Sequence, residues 1–143
     1  MDSLPGTEFQ LVLFLRAFDT GTLPKSAWTH AAHIFTGACM VHTLGLSAAE
    51  TYMRDAIRRY NLAVGGQNTA TSGYHETITL FWVKLLAAHH RATQPASRLA
   101  FATEAAAHFA PQRDLLARFY DFNVVTSIEA RQHWIAPTLQ PID

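Results

Sequence analysis

Cysteine is nearly absent: Cys39 stands alone in 143 residues. An internal disulfide is therefore excluded, and so is a zinc cluster built on thiolates, which fits a reducing, cytoplasmic setting. Charge is sparse as well, at 15% of residues, and the 11 basic side chains cancel the 11 acidic ones with no run of either sign. A nucleic-acid footprint and a polybasic membrane anchor are not expected from that balance. Between Lys25 and Glu50 no charged residue occurs at all, yet WTHAAHIFTGACMVHTLGL is broken by three histidines and three threonines. It lacks the uninterrupted apolar run of about 18 residues that a membrane span needs, so it reads as a buried helix. The N-terminus has no positive region before its apolar stretch, and a secretory signal is not expected.

What is present is apolar: 49% of the chain. One chain of this size buries roughly 70% of its unfolded surface, enough for a core without staples. The expectation is a single domain over residues 1–143.

Helical periodicity recurs along the chain, with no alternating β-branched segment to compete. Thr7 to about Phe18 is stopped at Gly21, and Lys25 or Ser26 to about Thr43 is stopped near Gly45. Ser47 caps a third helix ending at Gly65-Gly66, and a fourth spans roughly Tyr74 to Arg91. Pro95 and Pro111 fit the first turns of a fifth and a sixth helix. Thr126-Ser-Ile-Glu129 has capping-box spacing before ARQHW. The fold class expected is all-α, a helical bundle of about four long helices plus two short ones.

Ionisable groups sit where burial is expected. At about 100° per residue, His75 and Glu76 in GYHETIT both lean toward the core, opposite Thr77, Lys84, Ala88 and Arg91. In WTHAAHIF, His30 and His33 are three apart and share one face, close enough for both imidazoles to meet one ion. Gly37, one turn on, admits a close neighbour. These pairs predict a buried mononuclear site drawn from His30, His33, His75 and Glu76, holding a divalent metal, zinc or iron, with an open position. Glu76 has three readings: ligand, general base, or cap of its own helix. Without metal, the same residues make a buried polar network.

Other histidines carry less weight. His89 and His90 suit a helix C-terminus, Glu104 and His108 a surface pair, His42 a packed position; His133 has no evident partner. Arg54, Arg58 and Asn61 form a polar line on the third helix: a solvated edge, a clamp for a substrate carboxylate or phosphate, or the counter-charge of Glu76. GGQNTATSG would wall or cover the pocket, with Tyr74 at its mouth as a proton donor or as filling.

Four segments, GTLPKSAWTHAAHIF, IRRYNLAVGGQNT, GYHETIT and SIEARQHWIAPTLQPI, together resemble a family of small uncharacterised bacterial all-helical proteins in which they recur in this order. The resemblance covers most of the chain and brings no activity with it.

The functional expectation is a metal-dependent enzyme acting on a small polar molecule, with Glu76 and Tyr74 catalytic. The competing expectation is a non-catalytic small-ligand or metal-binding module. A homodimer is a further expectation, from the apolar faces of the first, fourth and fifth helices.

Overall fold

The computed structural model describes residues 3–143. They form helices α1 (Glu8–Thr20), α2 (His30–Leu44), α3 (Leu46–Ala63), α4 (Glu76–Thr93), α5 (Arg98–Phe109), α6 (Leu115–Phe119) and α7 (Ile128–Gln132), with a 3-10 turn at Lys25–Ala27 and no strand among the described residues. The all-α expectation holds. Five helices are of 12 residues or more, one beyond the four expected, because α5 runs to full length.

Capping side chains set most of the starts. Thr7, Thr29, Ser97 and Ser127 each accept a backbone N–H three residues on, the arrangement that satisfies an orphan donor of the first turn. Thr29 therefore cuts the expected second helix in two, leaving Lys25–Ala27 as a separate turn. Likewise Ser127 rather than Thr126 caps α7, Gly45 rather than Ser47 precedes α3, and α6 begins four residues after Pro111.

Helix α2 lies at the centre, packed on α5, α4 and α3. Every residue from Ile34 to Val41 is buried, which its lack of charge anticipates. Around it lie Leu11 and Phe18 of α1, Tyr60 of α3, Phe81 and Leu86 of α4 and Phe101 of α5, all exposed by no more than 2%. The Tyr60 hydroxyl donates to Leu23 O at 2.7 Å, so that the phenol is buried with its polar end paired.

The C-terminal chain overturns one detail of the helical wheel. Thr77 and Ala88, placed by periodicity on the solvent side of α4, are buried. Helix α7 and the tail cover that side: Thr77 Oγ1 donates to His133 O at 2.7 Å and accepts the Ile135 N–H at 3.0 Å. Lys84, also on this side, pairs with Glu50 at 2.8 Å and lies over the Trp134 ring. Thr77→Val keeps the shape and removes both bonds to the tail, leaving a carbonyl and an N–H without their partner. A loss of about 2–3 kcal/mol is expected in urea denaturation; a change within error would mean that the tail contributes nothing through this contact.

Candidate functional site

The residues singled out by sequence do not converge on one site: most line one of two chambers, and His75 and Asn61 line neither. Among the described residues no group of three or more His, Cys, Asp and Glu side chains is placed to hold a metal ion.

His75 is the residue most displaced from its expected role. It is not inside α4 but caps it, with extended backbone, and its Nδ1 accepts the Ile78 N–H at 3.1 Å. Its Nε2 donates to Val124 O at 2.8 Å. Since the carbonyl can only accept, the proton sits on Nε2, and neither nitrogen has a lone pair left for a metal. Burial lowers the pKa of His75 against the opposing pull of the Val124 bond, which keeps the ring neutral and the cap intact.

Glu76 is bound to protein on both oxygens. Arg54 donates Nε to Oε1 at 3.0 Å and Nη2 to Oε2 at 2.9 Å, and the Tyr74 hydroxyl donates to Oε1 at 2.6 Å. Partial burial acts to raise the carboxyl pKa, but the bonds from Arg54 and Tyr74 outweigh it and hold the group ionised. Burial and the nearby carboxylate push the Tyr74 phenol well above its ordinary value. Of the readings open for Arg54, the structure shows the counter-charge of Glu76, not a free substrate clamp. Asn61, from the same line, donates instead to Asn68 Oδ1 at 2.9 Å and orders the loop before α4.

That loop explains the glycine of GYHETIT. Gly73 has φ +78°, and a Cβ there would stand 1.9 Å from Gln67 O. Only glycine permits both the left-handed backbone and this approach. Asn68 Oδ1 accepts the Tyr74 N–H at 3.0 Å, and Arg131 Nη1 donates to Gly73 O at 2.7 Å, closing the turn against α7.

The first chamber, about 450 Å³, is lined from α2 by His30, His33, Ile34 and Gly37, from α3 by Met53 and Ile57, and from α4 by Ile78, Thr79, Trp82, Val83 and Leu86; the Gln112–Leu116 region closes it. Its walls are chiefly aliphatic. The polar groups are His30, His33, Thr79, Gln112 and Arg113. Gly37 gives it depth on one side, where an added Cβ would stand 3.1 Å from Leu86 Cδ1.

His33 is half-buried, its ring 4.0 Å from that of Trp28 between centroids. Its Nδ1 donates to Thr29 O at 2.8 Å, so Nε2 carries the lone pair. Loss of hydration holds its pKa down to about 4, against the Thr29 bond and with a small push from His30. His30 is exposed at its outer edge, but its ring lies edge-on to Trp82 and loses part of its hydration there, which together with nearby Arg113 lowers its pKa.

The second chamber, about 610 Å³, is polar. Arg54, Arg58, the loop Asn68–Ala70, Tyr74, Glu76 and Arg131–His133 line it. Arg131 was not singled out by sequence; it lies 57 positions from Tyr74, whose carbonyl its Nη1 also approaches, at 3.4 Å. Glu76 and Tyr74 therefore belong with the arginines, His30 and His33 with the apolar cavity, and His75 with neither.

A separate group of imidazoles lies at the other end of α4. His42 Nδ1 and His90 Nε2 share a hydrogen bond at 2.9 Å, and His89 pairs with Glu104 at 2.7 Å while stacking on His108. His42, expected to be merely packed, thus has a specific partner.

No protein-family model, no curated protein and no solved structure matches the chain. Among the described residues no helix is long and apolar enough to cross a membrane.

The depressed pKa of His33 has a definite sign in folding. The unfolded chain takes a proton near pH 6.5 and the folded chain only near 4, so stability is full above 6.5 and is lost as pH falls toward 4. The change is on the order of 3 kcal/mol. In paired urea titrations, the stability of the wild type relative to His33→Phe is expected to be constant above that window and to shrink within it. A constant difference throughout would mean that His33 is hydrated in the folded state.

Proposed function

We propose that the protein binds a small molecule with an apolar body and one anionic or hydrogen-bonding end in the chamber between α2, α3 and α4. The observation that carries this reading is the combination of a cavity of about 450 Å³ with a mostly aliphatic lining and a few polar groups, His30, His33, Gln112 and Arg113. Ligand sites are commonly built this way, with apolar walls for affinity and a few placed polar groups for orientation. His33 Nε2 offers an acceptor and Arg113 a positive charge. The ligand class is thus more apolar than the small polar molecule expected from sequence, and this reading belongs to the non-catalytic alternative.

A second reading keeps the metal. It is favoured by the His33 Nδ1 bond to Thr29 O, since metal-binding histidines commonly donate one nitrogen to a carbonyl and use the other as ligand. His30 and His33 would then hold zinc or ferrous iron, with water or substrate filling the remaining positions, in a metal-dependent enzyme of the kind expected from sequence. Two protein ligands fall short of the three that catalytic zinc sites usually have, so this reading ranks below the first.

Octanoate and octanol separate these ideas when titrated against the metal-free protein. Octanoate is expected to bind and to perturb tryptophan fluorescence, Ile78→Trp to block both compounds, and Arg113→Ala to weaken octanoate about threefold to tenfold while sparing octanol. Equal binding of both compounds to Ile78→Trp and wild type would remove the cavity as the site. Elemental analysis of protein purified without chelators tests the second reading. Stoichiometric zinc or iron that disappears in His33→Ala would establish it, and metal content unchanged by that substitution would end it.

A further inference from the structure

We propose that the polar chamber between α3, the Asn68–Ala70 loop and α7 is a second site, which takes a compact dianion of the phosphate class. Charge is the first argument. Arg54, Arg58 and Arg131 line the chamber with Glu76 as the one carboxylate among its described lining residues, which leaves two positive charges. Arg54 does not supply them, because both oxygens of Glu76 hold its guanidinium. The excess belongs to Arg58 and Arg131.

Both of these have donors to spare, Arg131 anchored to the backbone and Arg58 exposed beside the Tyr74 ring. Arg58 forms no side-chain hydrogen bond or ion pair among the described residues; its guanidinium carbon lies 5.7 Å from the centroid of the Tyr74 ring, a cation–π position. Arg131 uses Nη1 on Gly73 O and Tyr74 O and has no carboxylate partner among the described residues. Tyr74 thus carries one guanidinium on its ring and the other on its backbone carbonyl. The ring is itself buried and pinned through its hydroxyl to Glu76. Planar guanidinium groups suit the oxygens of a tetrahedral anion, and the backbone anchor of Arg131 lowers part of the ordering cost of binding.

Two charges on one compact group match a phosphate better than a monocarboxylate. The ion pair of Glu76 with Arg54 walls the site without neutralising it. The site is distinct from the apolar chamber in its lining, and it stands whether or not that chamber binds anything.

Isothermal titration with inorganic phosphate, at mildly alkaline pH above its second ionisation and in low-chloride buffer, tests the inference on the full chain. One saturable site is expected, with acetate about tenfold weaker and Arg58→Gln about tenfold weaker for phosphate. Arg58→Gln gives up only the cation–π contact with Tyr74, and an unchanged melting temperature separates a loss of phosphate binding from misfolding. Arg131→Gln, checked for its melting temperature because it releases the Gly73 carbonyl, is expected to weaken phosphate to the same degree. Arg113→Gln, in the apolar chamber, is expected to leave phosphate unaffected. Phosphate binding undiminished in Arg58→Gln would overturn the assignment, as would the absence of a saturable site or equal affinity for acetate.

Discussion

The end of this bundle where α7 and the tail meet α4 hangs on how the first turn of α4 satisfies its polar groups. A helix start leaves orphan N–H groups, and here the covering chain leaves carbonyls to be paired as well. His75 serves both needs at once, accepting from Ile78 N and donating to Val124 O. Two residues on, Thr77 repeats the device with Ile135 N and His133 O. These bonds fasten the chain around α7 to α4, and with it Arg131, which reaches back to close the glycine turn. If His75 were charged it could no longer accept from Ile78, so its lowered pKa matches the structural role.

The ionisable groups are arranged on one principle: imidazoles at the apolar chamber are kept neutral by loss of water, while the carboxylate at the polar chamber is kept charged by its partners. His33 and His30 fall below their ordinary pKa, and Glu76 does too, yet the consequences are opposite in charge. One chamber presents lone pairs and aliphatic walls, and the other presents guanidinium groups. Such adjacent but unlike environments are produced by a shift of one residue along the same helix.

Much of the bundle was legible in the sequence. Helix periodicity, terminal glycines and the charge-free α2 gave the all-α class, and the inward lean of Glu76 agrees with its place against α3. Helix starts were less legible, because Thr29 and Ser127 compete with equally plausible neighbours and only the backbone decides which one caps. His75 does not join His30 and His33 for a specific reason: a wheel drawn through GYHETIT assumes that His75 is helical, whereas it stands outside the first turn in extended backbone. Thr77 was misplaced because periodicity reports the two faces of a helix but not a tail that returns to cover one of them. Arg131 left no local signal, since its partners lie 57 and 58 positions away.

Helix α3 shows what the shared wall demands of the chain. Met53 and Ile57 face the apolar chamber, while Arg54 and Arg58, each one position further on, face the polar one. Adding or deleting a single residue ahead of Met53 would turn the helix by about 100° relative to its neighbours. Arginines would then swing toward the aliphatic lining and methylene groups toward Glu76. Side chains along this segment can vary in size within their own face, but the number of residues between Gly45 and the loop at Gly65 is fixed by geometry, so this stretch should drift by substitution and resist change in length.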